Sequence, residues 1–128
     1  MSFTHTQVIQ YQTAGRTLVK SYSLTGGSQT SVSESIPDSS TDELVNFTLD
    51  VSTCTSFYMA SDQDMTIETN SGGSPIDTIV LVADVPYIWN TDSYDSFLLG
   101  TDVTALYATN ASGSTATLEV EALFDPTP

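Results

Sequence analysis

Apolar residues recur along this chain in short runs, and the spacing within each run predicts strands. Val45, Phe47, Leu49 and Val51 alternate with Asn46, Thr48 and Asp50, as in a strand with one face buried and one in water. Met65 and Ile67 alternate with Thr66 and Glu68 in the same way, and Phe57-Tyr58-Met59 forms a short strand before them. Toward the C-terminus, Leu118, Val120, Ala122 and Phe124 share one side of a strand while Glu119 and Glu121 take the other. Ile79-Val80-Leu81-Val82-Ala83 is a continuous apolar run, the pattern of a strand covered on both faces. Pro86 separates it from a short strand at Tyr87-Ile88-Trp89.

Turn chemistry falls between these runs. Asn70-Ser71-Gly72-Gly73-Ser74-Pro75 ends the Met65 strand, and Asp92-Ser93-Tyr94-Asp95 reads as a loop. Asn110-Ala111-Ser112-Gly113-Ser114 joins residues 103–109 to residues 115–124 as a hairpin. Near the N-terminus, residues 4–12 and 16–24 flank a turn at Ala14-Gly15; their weaker alternation suits an arm or an edge hairpin over residues 1–30. The polar stretch that follows predicts a strand of low hydrophobicity at 31–36 and a loop from Pro37-Asp38 to Glu43, or else a linker. Phe97-Leu98-Leu99 offers one helical turn at most, and Pro126 and Pro128 cannot extend a ladder. Together these features predict an all-β chain: one domain over residues 1–128, an antiparallel two-sheet β-sandwich of about eight to ten short strands. A jelly roll is one economical way to connect that many strands.

Composition supports the pattern. Ser and Thr supply 38 of the 128 residues, suiting turns and pleated surfaces better than helices. Sixteen acids against Arg16 and Lys20 leave a formal charge of −14. Such a surface repels phosphate, so nucleic acid and anionic membranes are not expected partners. It serves solubility, or docking on a basic or cation-bridged surface. The stretch Met1-Ser2-Phe3-Thr4-His5 has no signal-peptide character, and no apolar run is long enough for a membrane helix. The chain is therefore expected to be made in a cytoplasm.

Candidate chemistry is sparse. His5 is the only histidine and Cys54 the only cysteine, which excludes an internal disulfide and a Cys/His zinc site. Cys54, between Val51 and Phe57, suits a buried small hydrophobe better than a nucleophile paired with His5. The carboxylate pairs Asp62/Asp64 and Asp92/Asp95 are the only openings for hydrolysis or calcium, and solvated loop acids are the simpler reading of both. Gly26-Gly27 and Gly72-Gly73 lack the Lys-Ser/Thr of a phosphate loop. The sequon-like Asn46-Phe47-Thr48 and Asn110-Ala111-Ser112 are of the kind a Ser/Thr-rich chain produces by chance. Tyr87, Trp89 and Tyr94 cluster beside Asn90 and Asp92, as on a sugar-binding face or a protein hot spot, although Trp89 also suits the core. No catalytic, cofactor-binding or metal-ligating set is assigned.

The order of features over residues 33–125 resembles the small β-sandwich virion proteins of tailed bacteriophages, in particular capsid decoration (cement) proteins. The resemblance rests on Ser33-Glu34-Ser35-Ile36-Pro37, Thr41 to Asp50, Phe57 to Asp62, Met65 to Asn70, Pro86 to Trp89, Asp102 to Asn110, and Leu118 to Asp125. It implies a non-enzymatic structural protein on the capsid exterior that bridges subunits of the major capsid protein, as a homo-oligomer with trimers favoured. The N-terminal quarter lies outside the resemblance and is expected to reach the shell or a neighbouring subunit. A tail or neck component, or a carbohydrate-binding module using Tyr87, Trp89 and Tyr94, are the alternatives.

Overall fold

The computed structural model describes residues 2–125. Ten strands run in chain order: β1 (Phe3–Gln12), β2 (Thr17–Gly26), β3 (Ser28–Ile36), β4 (Ser40–Val45), β5 (Cys54–Ser61), β6 (Met65–Thr69), β7 (Thr78–Leu81), β8 (Tyr87–Asn90), β9 (Leu106–Asn110) and β10 (Ala116–Phe124). The only helical segment among the described residues is a 3-10 turn over Val51–Thr53, capped by the Asp50 carboxylate accepting from the Ser52 N–H. Residues 97–99 are not helical, and Pro126 and Pro128 lie outside the described residues.

Eight strands form two antiparallel four-stranded sheets, ordered β3-β10-β5-β8 and β4-β9-β6-β7. Six of the seven connections from β3 to β10 cross between the sheets; only β6 and β7, neighbours in one sheet, form a hairpin. This is jelly-roll connectivity. β1 and β2 add a separate two-stranded hairpin, paired from Phe3↔Gly26 to Gln12↔Thr17.

The core lies between the sheets and contains Ile36, Val45, Phe57, Met59, Ile67, Leu106, Leu118 and Val120, all fully buried. Each comes from the apolar phase of an alternating strand, because successive side chains point to opposite faces. Phe57 is its aromatic centre, with Phe47 edge-on at 6.4 Å and Phe97 tilted at 5.2 Å. A bulge where β5 meets the end of β10 shifts the register between Leu123 and Phe124. Ser56 and Leu123 are buried there although their neighbours Phe57 and Phe124 belong to the core cluster.

Four sequence expectations need correction. The 79–83 run is not covered on both faces: β7 is an edge strand with Ile79 and Leu81 buried, while Val80 is 72% and Val82 55% exposed. The run is apolar on its outer side without being covered there. Residues 103–124 do not form a hairpin, because β9 pairs with β4 and β6 whereas β10 pairs with β3 and β5. The turn at 110–114 is a crossing between sheets. The 45–51 strand stops at Val45; Phe47 and Leu49 keep the alternation, but only the Leu49↔Val103 bridge continues the pairing. Finally, in the polar stretch the expected strand is present as β3, paired with β10 along its whole length. The expected loop to Glu43 is cut short because β4 begins at Ser40, and the linker alternative falls. In β3 the Ser side chains face water while Val32 and Ile36 turn to the core, so backbone pairing does more than hydrophobicity to mark it as a strand.

Candidate functional site

The residues singled out for chemistry do not converge. Asp62 accepts from the Thr117 N–H at 2.8 Å and Asp64 from the Ala83 N–H at 2.9 Å, so each carboxylate fastens a different segment. At the other pair, the Asp92 N–H donates to the Asn90 side chain and the Asp95 carbonyl accepts from the Trp89 indole. Cys54 is buried in the core, and burial pushes its thiol up to about 12, far from a reactive thiolate. His5 sits on the hairpin, its Nε2 2.8 Å from Gln29 Oε1. No cluster of three or more His, Cys, Asp or Glu able to hold a metal occurs among the described residues.

The aromatic cluster divides in two. Trp89 stacks on Phe97 at 4.2 Å with 11° between the rings, and its indole N–H donates to Asp95. Tyr87 packs against Phe57, its hydroxyl accepting from the Leu98 N–H at 3.0 Å. Burial raises the Tyr87 phenol above its ordinary value. Both rings pack against the core from β8, at the edge of its sheet. Tyr94 alone stands fully in solvent, so the three do not make one flat platform.

Two buried asparagines organise loops instead. Asn110 donates to the carbonyls of Ile36, Pro37 and Ser114 and accepts from Ser112, tying the β3–β4 turn to the β9–β10 crossing. Fully buried and bonded in this way, it is closed to glycosylation in the folded chain. Asn90 bonds Gln7 Oε1 at 2.7 Å.

Gln7 leads to the most unusual feature. Its amide nitrogen donates to Ser56 Oγ and to the Trp89 carbonyl, both at 2.9 Å, clamping β1 against β5 and β8. Gly26 anchors the other strand: a Cβ there would lie 2.2 Å from the Phe124 carbonyl oxygen, so only glycine permits that approach. Beyond these anchors the hairpin leaves the body. Every residue from 8 to 21 is exposed, including Val8, Ile9, Tyr11, Leu18 and Val19. β1 and β2 pair only with each other, so both outer edges of the hairpin lack a neighbouring strand.

The charges divide along the same boundary. Arg16, Lys20 and His5 all lie in the hairpin, and the first acid in the chain is Glu34. Residues 1–33 thus carry +2, and residues 34–128 carry all sixteen acids and no Lys or Arg. This partition is legible in the sequence, but a net charge averaged over the chain hides it.

The fold and surface define an eight-stranded jelly-roll body bearing a basic N-terminal hairpin with exposed apolar residues along its strands. Compared with known proteins, the chain matches no family, no curated protein and no solved structure.

Proposed function

We propose that this chain is a non-enzymatic structural component of a virion, binding the outer surface of a phage capsid and stabilising the shell by bridging subunits of the major capsid protein. The observation that carries the reading is the division of the molecule into a jelly-roll body and a clamped hairpin that projects into solvent. A two-stranded hairpin is marginal alone in water, so a long one with apolar residues on both faces suits a segment that neighbours complete. The order of features over residues 33–125 points the same way by its resemblance to decoration proteins. Supporting it further, the Asp62 and Asp64 carboxylates are each engaged with a different backbone N–H, at Thr117 and at Ala83. Repetition on a lattice multiplies weak contacts, so a modest contact per copy suffices for tight decoration.

Co-sedimentation with shells of the virus that encodes the chain, followed by calorimetry of the loaded shells, tests this reading. The expected result is binding that saturates at a fixed number of copies per shell, with a raised shell melting temperature. Protein that stays in the supernatant at every ratio would sink it.

A further inference from the structure

We propose that the N-terminal hairpin of one copy docks along the free β7 edge of a second copy, so that the chain assembles with itself head to tail. This goes beyond the capsid reading and does not rest on it.

The donor surface is the hairpin beyond Gln7. Five β1 residues past that clamp extend about 17 Å at roughly 3.3 Å per residue, far enough to lie along a strand of another molecule. Ile9, Tyr11 and Leu18 share one face by their register with Lys20 and with each other, and all three apolar side chains are 45–65% exposed. Arg16 at the turn and Lys20, opposite Ile9 on β2, supply the only Lys and Arg charges of the chain.

The acceptor surface follows from comparing the four free edges of the two sheets. β3 carries Glu34 and β4 carries Asp42 and Glu43, charges of the kind that block strand addition. β8 is a four-residue strand that follows Pro86 and already gives the Trp89 carbonyl to Gln7. β7 is as short as β8, but no charged residue lies within Thr78–Leu81. It presents Val80 at 72% exposure, with Val82, Val85 and Leu98 lining the same shallow depression. Asp77 precedes this edge, and Asp84 follows it; Asp64 is bonded beside it at Ala83.

Charge selects the occupant. A chain with net charge −14 resists indiscriminate self-association, yet its one basic element meets attraction from every acidic body, its own kind included. A strand added at β7 makes main-chain hydrogen bonds and covers Val80 and Val82. Donor and acceptor are different surfaces, so the contact is heterologous and closes into a ring or continues as a chain.

The test uses the full-length protein without shells, so its outcome is separate from that of the capsid reading. Sedimentation velocity across the micromolar range is expected to show the parent as a closed oligomer or as a series of species that grows with concentration. Ile9→Ser with Tyr11→Ser should give monomers by removing the donor, and Val80→Asp by removing the acceptor. Both sites are exposed, so far-UV circular dichroism should match the parent. Mixed in equal amounts, the two variants are expected to form a one-to-one pair, because each retains the surface the other lacks. Arg16→Glu with Lys20→Glu should weaken assembly by about tenfold or more, less so in high salt. A monomeric parent would overturn the proposal, as would an oligomer indifferent to these variants. A mixture that stays monomeric would overturn it too. A Val80→Asp variant that still oligomerises would overturn it in favour of hairpin meeting hairpin, and an acidic foreign protein captured by a monomeric parent would reassign the hairpin to that partner.

Discussion

At the residue scale, buried amides and a carboxylate contact contribute most of the specific chemistry. Asn110 satisfies three carbonyls from two separate turns, so truncating it leaves buried acceptors without donors. Asn110→Ala is expected to destabilise the chain by about 2–4 kcal/mol, read as a lower denaturation midpoint at unchanged slope. Glu68 behaves differently. Its hydrogen bond to Asp42 raises its pKa, with desolvation and the Asp42 charge acting in the same direction. The bond requires a proton on one carboxyl; with both ionised the pair repels. The folded state therefore holds that proton more tightly than the unfolded chain. The pair's contribution is complete below the ordinary glutamate range and is lost as pH rises through the elevated value. Glu68→Gln should melt higher than the parent at neutral pH, and the difference should vanish as the solution is acidified. Thermal melts at several pH values check this, and a constant offset would refute it. Both effects depend on neighbours far off in sequence, and neither Asn110 nor Glu68 stands out among the many polar residues around it.

At the element scale, alternation predicted the buried faces better than it predicted the neighbours. Leu118, Val120 and Ala122 are buried and Glu119 and Glu121 exposed, as their phase requires. The same logic failed at β7, because a continuous apolar run does not state whether its outer face is covered by the same chain. The N-terminal hairpin was legible from its turn and its two matched runs. Its attachment was not: Gln7 is one of several glutamines there, and only its position over Ser56 and Asn90 distinguishes it. Replacing Gln7 by Ala removes the amide that joins β1 to the body. Limited proteolysis should then cut the hairpin faster, while the core melts within about 1–3 kcal/mol of the parent. Loss of the whole fold in that variant would show that the hairpin is part of the cooperative core instead.

At the scale of the whole molecule, the jelly roll pairs strands from opposite ends of the sequence, with β3 beside β10 and β4 beside β9. Loop closure must precede most of these contacts, so refolding is expected on a timescale of roughly milliseconds to seconds. Stopped-flow tryptophan fluorescence follows it through Trp89, which stacks on Phe97 in the folded chain. A microsecond phase carrying the full amplitude would contradict this. The same scale holds the charge partition, a basic hairpin on an acidic body, which gives the molecule a direction. By itself the sequence determined the fold class, most of the buried positions and that partition, because side-chain phase and charge are local properties carried by each residue. Only the tertiary structure decided that residues 103–124 cross between sheets, that β7 is an open edge and that Gln7 clamps the hairpin. Those depend on which backbones pair, and backbone hydrogen-bonding groups are nearly the same at every residue.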